Sequence, residues 1–270
     1  MRSRGVAVVV CAALAFAAVS RAQTSEIAEP AYADLPLARV LPVAGSLAGA
    51  ADSFFKTSVQ IFNPQADPLV GAFMFHASGT VASSIDPSMS FRIPPLQTLS
   101  FDDILPAMGL SGLGTVDIQL NTASHSPAVI VARVYNDADD AGTAGFTEDA
   151  ISPEESGSGG RVIDQGETGY LVFPADLERF RFNIGIRTLS RTAVIEFMVR
   201  DEHGLILKTL TKDLGTVAFQ QHEAGALLGM ALPPAGSVRV AVTRGIAIVY
   251  GATTDNITND PSIQFARTGF

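Results

Sequence analysis

The fold is decided by the stretch Ile246–Asp260, IAIVYGATTDNITND, read beside Val129–Asp140, VIVARVYNDADD. In both, an apolar run of strand character ends in a short string of Asp and Asn. About 120 residues separate the two copies. A unit used twice predicts a duplicated module, and the flanking sequence can be tested for the rest of the repeat.

The rest of the repeat is there. Phe54–Asn63 (FFKTSVQIFN) lies over Phe180–Leu189 (FRFNIGIRTL), Asp102–Leu110 (DDILPAMGL) over Glu223–Met230 (EAGALLGM), and Ile130–Asp137 over Val249–Asn256. Phe180, Phe182, Ile184 and Ile186 alternate with Arg181, Asn183, Gly185 and Arg187, the period of a half-buried strand. Phe55–Phe62 and Thr115–Leu120 alternate in the same way. Further strands are expected at Leu41–Gly45, Val70–His76, Met89–Ile93, Thr98–Phe101, Tyr170–Phe173, Ala193–Arg200, Leu205–Thr211, Val217–Phe219 and Ser237–Thr243. Asp201-Glu202-His203-Gly204 reads as a hairpin turn, with Gly supplying the positive φ. Asp102 or Asp103 can cap a short helix that Pro106 limits to a turn or two. About seven short strands per unit and no long helix predict an all-β chain of two tandem immunoglobulin-like β-sandwich domains, each with a short helical turn between late strands. One continuous larger barrel or sandwich is the alternative.

The N-terminus reads as a targeting segment. Arg2 and Arg4 precede an apolar run from Val6 to Val19, and Ser20-Arg21-Ala22 offers a small-x-small cleavage site. The run falls short of the roughly 20 apolar residues a spanning helix needs; an uncleaved anchor is the other reading. Val10 before Cys11 does not suit lipidation. The expected organisation is a signal peptide at 1–22, a flexible leader at 23–35, a first β-sandwich at 36–150, a Gly/Ser/Glu linker at 151–166 and a second β-sandwich at 167–270. Cleavage after Ala22 would remove three of the 18 basic residues and leave a chain near net charge −12. Such a chain is repelled by nucleic acid and anionic lipid. It would also lack cysteine, so thiol catalysis is excluded and the core, without disulfides, must hold the fold. No membrane span is expected in the mature chain. The residues before Phe270 lack the apolar alternation of an outer-membrane barrel strand.

The runs FFKTSVQIFNP, PPLQTLSFDDIL, MGLSGLGTVDI and ARVYND…GTAGFTEDAI together resemble repeated modules in secreted bacterial proteins of unknown function. In the second unit Leu189 stands where the outline has Asn-Pro, and Ala252–Asp255 replaces its Arg–Tyr–Asn end. The resemblance implies tandem immunoglobulin-like sandwiches, exported, often appended to other proteins, and it implies no catalytic residues.

Few residues bear chemistry in a recognisable pattern. His76, His125, His203 and His222 do not pair at metal spacing, and they read as isolated surface or edge histidines. Gly109–Leu113 (GLSGL) misses the nucleophile-elbow pattern at its last place. Asp102-Asp103 reads as a helix cap rather than an acid/base pair, and Glu154-Glu155 as a solvated charge run. The Asp/Asn strings are the candidate site. Asp137, Asp139, Asp140, Asp255, Asn256 and Asp260 are oxygen donors at strand ends, suited to Ca²⁺ with its six to eight oxygen ligands. Asp and Asn also form turns by bonding their own backbone, which explains the same residues without metal. The expectation is an exported, non-catalytic pair of modules, a monomer, with a structural, binding or adhesion role toward an extracellular or envelope protein or glycan. Its alternatives are a calcium- or glycan-binding sandwich and a carbohydrate-active enzyme working through paired carboxylates.

Overall fold

The computed structural model describes residues 37–50, 52–121, 128–137 and 142–269. The segments expected as signal peptide and leader, together with His125, Asp139 and Asp140, lie outside the described residues. The described residues are nearly all β, with several antiparallel sheets and two helical turns.

The duplication read from the sequence is present as a duplicated pairing scheme. In the first half, β1 (Leu37–Ala48) pairs with β6 (Gly112–Leu120), which pairs in turn with β3 (Leu69–Ala77), and β3 with β4 (Ser88–Ile93). The strand β2 (Phe54–Phe62) pairs with β5 (Thr98–Phe101) and β7 (Val129–Asp137), and β7 with β8 (Thr143–Asp149). A helical turn, α1 (Ile104–Ala107), precedes β6. In the second half, β10 (Thr168–Val172) pairs with β15 (Ser237–Arg244), β15 with β12 (Val194–Arg200), and β12 with β13 (Ile206–Asp213). The strand β11 (Phe180–Thr188) pairs with β14 (Phe219–Glu223) and β16 (Ala247–Asp255), and β16 with β17 (Pro261–Phe265). The turn α2 (Ala224–Leu228) precedes β15. Each strand from β1 to β8 thus has a counterpart nine strands later, with the corresponding partners. Among the described residues the halves differ in two pairings. A two-residue strand at 162–163 adds to β16 in the second half. The end of β1 reaches β2, through Leu47 and Ala48, and so joins the first half's two sheets into one eight-stranded sheet, a path of seven strands with β5 beside β2.

Alternation places the core as expected. Phe182, Ile184 and Ile186 of β11 face Val238, Val240 and Val242 of β15 and Phe197 of β12 in one apolar cluster. In the first half Val116, Ile118 and Leu120 of β6 meet Val59, Ile61, Phe73 and Phe91. Each fully buried side chain of this size contributes about 1.5–3 kcal/mol, which lets a chain without disulfides hold two cores.

Both helical turns form, but their caps differ. Glu223 caps α2 by accepting from Gly225 N at 2.8 Å and Ala226 N. Asp103 stands at the cap position of α1, yet its side chain makes no capping bond there. Instead it accepts from Ser46 Oγ at 2.7 Å, so the capping expectation for Asp103 is corrected: the carboxylate ties α1 to β1.

Residues 151–166 carry more structure than a Gly/Ser-rich composition suggests. Ile151 is fully buried and exchanges two backbone bonds with Val40. Val162 and Ile163 form β9 (Val162–Ile163) against β16 and are also buried. Glu155 forms an ion pair with Arg161 across the turn. The described residues fall in one compact unit.

The two halves meet along a seam formed by the strand faces read from sequence as polar. On β11, Gly185, Arg187 and Thr188 are buried along with the apolar face. Gly185 is required there: a Cβ on it would stand 2.0 Å from Cζ of Tyr250, whose ring occupies that space. Val43, Val134, Phe219 and Tyr250 then form an apolar cluster drawn from both halves, and Val40, Ile151, Val162 and Ile248 form a second. Gly185→Ala is expected to destabilise the protein by about 2–3 kcal/mol, because Tyr250 must leave its rotamer in a packed interior. Denaturant midpoints measure it, and adding Tyr250→Leu should return part of the loss.

Candidate functional site

The seam holds a buried polar cluster at one end and an open cleft at the other. The cluster is built on strand positions that alternation turns away from the cores. Asp117 of β6 lies one residue from Val116 and Ile118, and Arg187 of β11 one residue from Ile186. Arg187 Nη2 donates to Asp117 Oδ1 at 2.8 Å and Oδ2 at 2.6 Å, and its Nη1 donates to the carbonyls of Thr188 and Ala218. His76, at the end of β3, bonds Asp117 Oδ2 through Nε2 at 3.0 Å and Asp86 Oδ2 through Nδ1 at 2.6 Å. Asp86 also accepts from Ser83 N and so fixes its own loop. Backbone bonds bracket the cluster: Gly79 N donates to Phe219 O, and Ala218 N to Thr80 O.

This corrects the reading of His76 as a surface or edge histidine. It is 3% exposed, and both ring nitrogens are engaged. Burial alone would lower its pKa, but the two carboxylates outweigh burial and hold it above the ordinary 6.5. Asp117 is the converse. Burial would raise it, while Arg187 and His76 keep it below the ordinary 3.8. His203, by contrast, is exposed beside the hairpin turn, and His222 is exposed and bonds Gln220.

Beside the seam, Glu148 of β8 is buried with neither carboxylate oxygen hydrogen-bonded. Burial pushes its pKa up to about 8, against a smaller downward pull from Arg161 and an upward push from Asp149. Its charge would also bear on Tyr250, which is wholly buried and donates to Gln221 Oε1 at 2.7 Å.

The cleft opens where the halves diverge past Tyr250. Its cavity volume is about 230 Å³. Phe55, Leu113 and Phe146 of the first half form one wall; Tyr250, Arg181 and Asn183 of the second form the other. The remaining lining is mostly Gly, Ala and Val, and no Asp or Glu among the described residues lines it. Arg181 and Asn183 stand two residues apart on β11, on the face that carries Arg187 further along.

The strand-end acidic residues are placed as follows. Asp137 ends β7 and forms an ion pair with Lys56. Asp255 ends β16, accepts from Ile257 N and Thr258 N, and pairs with Arg179 at 2.9 Å. Those turn amides hold its carboxyl below the ordinary range. Asn256 accepts from Arg181 Nη1 and donates to Glu178 O, while Asp260 closes the turn through its backbone to Asp255. These bonds are turn chemistry. Among the described residues no group of three His, Cys, Asp or Glu is placed to hold a metal ion. No helix among them is long and apolar enough to cross a membrane.

No family model matches the chain, and no curated protein does. A solved structure, a lectin from Pleurotus ostreatus in complex with GalNAc, aligns over 87% of this chain and 84% of its own at 11% identity. Its TM-score of 0.21 is too low to carry a structural argument.

The titrating groups of the seam fix a pH dependence. The unfolded chain releases the Glu148 proton near 4.5 and the folded chain near about 8, so stability falls with pH across that interval. The His76 contribution is whole below 6.5 and is lost as pH rises through its folded value. Both act in one direction, so the melting temperature should fall from pH 5 to pH 9. Glu148→Met should remove much of that fall and add roughly 1–3 kcal/mol at pH 8, since an apolar side chain leaves no buried carboxylate unsatisfied. An unchanged profile in Glu148→Met would assign the pH dependence elsewhere.

Proposed function

We propose that the chain is an exported, non-catalytic pair of immunoglobulin-like β-sandwiches whose role is binding, with the seam cleft as the ligand site. The observation that carries this reading is the cleft itself: a permanent concavity between two packed halves, with apolar and aromatic walls and a few polar groups at the rim. Several features support it. The shared strand pairing of the two halves, with short strands and a helical turn before the sixth, suits tandem sandwiches. The signal-peptide reading of residues 1–22 suits export.

The non-catalytic part rests on where the titratable groups are. Hydrolysis of a glycoside needs two carboxylates facing each other, about 5–10 Å apart, across a cleft, and among the described residues none lines this one. The His76–Asp117 pair is shut away from solvent with its hydrogen-bonding capacity used by Asp86 and Arg187. It stabilises the seam and offers no approach to a substrate.

The test is retention of the mature chain on immobilised envelope and polysaccharide fractions, with and without Ala252→Phe, which fills the cleft from β16. Binding by the parent chain and loss of at least about tenfold in the filled variant is the expected result. Equal retention of both chains, or of neither, would remove the cleft from the account and leave a structural role.

A further inference from the structure

Arg181 is an unusual wall for an apolar cleft. Its guanidinium carries five N–H donors, and two bonds engage it: Nη1 to Asn256 Oδ1 at 3.1 Å and Nη2 to Asn259 Oδ1 at 3.0 Å. Both acceptors are neutral carboxamides. Among the described residues it forms no ion pair. The nearest carboxylate whose charge reaches it is Asp255, and that group is already engaged by Arg179 and by two turn amides. Loss of water around Arg181 lowers its pKa, so its positive charge is both partly desolvated and left without a partnered anion. Two residues along the strand, Asn183 adds a carboxamide to the same wall. Opposite stand Phe55, Leu113 and Phe146, which offer rings and methyl groups.

An apolar cavity with a single desolvated cation at its rim is complementary to one kind of small molecule. A purely apolar ligand would bury the guanidinium further without compensating its charge, which is costly. A purely ionic ligand would leave the aromatic wall unused. A sugar could use Asn183, Gln221 and Thr254, but it brings no charge to compensate the guanidinium.

We propose that the seam cleft takes a small amphipathic carboxylate, its acid head on Arg181 and Asn183 and its apolar or aryl body against Phe55, Leu113 and Phe146. The proposal rests on the binding reading of the cleft and adds the chemical class of the ligand. Charge-assisted bonds from a guanidinium to a carboxylate are the stronger kind of hydrogen bond, and the low local dielectric at a desolvated rim strengthens them further.

The probe is 4-phenylbutyrate, with 4-phenylbutan-1-ol as its neutral counterpart, titrated into the isotope-labelled mature chain and followed by amide shifts. A ligand of about a dozen heavy atoms at roughly 0.3 kcal/mol each binds in the millimolar range, within reach of this method. The expected result is saturable shifts around the cleft with the acid about five- to tenfold tighter than the alcohol. Arg181→Gln should reduce the acid to the affinity of the alcohol and leave the alcohol unchanged. Arg181→Lys, which keeps the charge, should retain most of the preference, and the amide spectrum of each variant reports whether the Asn256–Asn259 turn survives. Acid and alcohol binding the parent chain equally would overturn the carboxylate assignment while leaving the cleft as a binding site. Shifts from neither probe at the cleft would overturn both.

Discussion

The molecule depends on one contact, the Asp117–Arg187 ion pair buried between its two halves. Removing a carboxylate and a guanidinium from water costs several kcal/mol each. The pair is favourable because most of the arrangement is supplied: both carboxylate oxygens accept from Arg187, His76 adds a second cationic donor, and Asp86 steadies His76 from behind, while Arg187 Nε alone of the guanidinium nitrogens has no partner. A pair built this way contributes less to net stability than to geometry. It fixes the register of β6 against β11, because any other alignment leaves a charge buried alone.

The rest of the seam follows from that register. Beside Arg187, the β11–β16 pairing sets Gly185 directly opposite Tyr250, and the absence of a side chain at 185 lets the ring fill the gap. Tyr250 then closes the packed part of the seam, and beyond it the same face of β11 turns from contact to cleft wall at Asn183 and Arg181. Glu148 shows the cost of this construction. It lies in an interior with no donor for it, so it is held uncharged at neutral pH. The arrangement favours the folded state on the acid side of neutrality.

Period-two alternation was sufficient to separate the two faces of β2, β6 and β11, and the Val129 and Ile246 runs correspond as β7 and β16 in a repeated pairing scheme. What alternation could not say was what the polar faces meet. A face bearing Arg181, Asn183, Gly185 and Arg187 satisfies the same pattern whether it meets water or a second sheet. Two signals pointed to the second sheet: an Asp between Val116 and Ile118, and a Gly inside the strand at 185 where a side chain would normally pack. His76 was misread for the same reason, since its partners Asp86 and Asp117 are ten and 41 residues away in sequence. The strands β8, β9 and β17 carry weak alternation and form because partners already in place offer them an edge. The acidic strand ends were visible as oxygen-rich, and the described ones act within the chain, through Lys56, Arg179 and backbone amides.

The central claim is that the buried pair makes the two halves one cooperative body. Calorimetric unfolding tests it most directly, run on the parent chain, on Asp117→Asn and on the double variant Asp117→Leu with Arg187→Met. The account predicts a single transition in the parent, with calorimetric and van't Hoff enthalpies equal. It predicts a loss of about 3–5 kcal/mol in Asp117→Asn, which strands a buried guanidinium, and recovery of most of that loss in the apolar double variant. Two resolved transitions in the parent chain, or an Asp117→Asn variant no less stable than the parent, would contradict it.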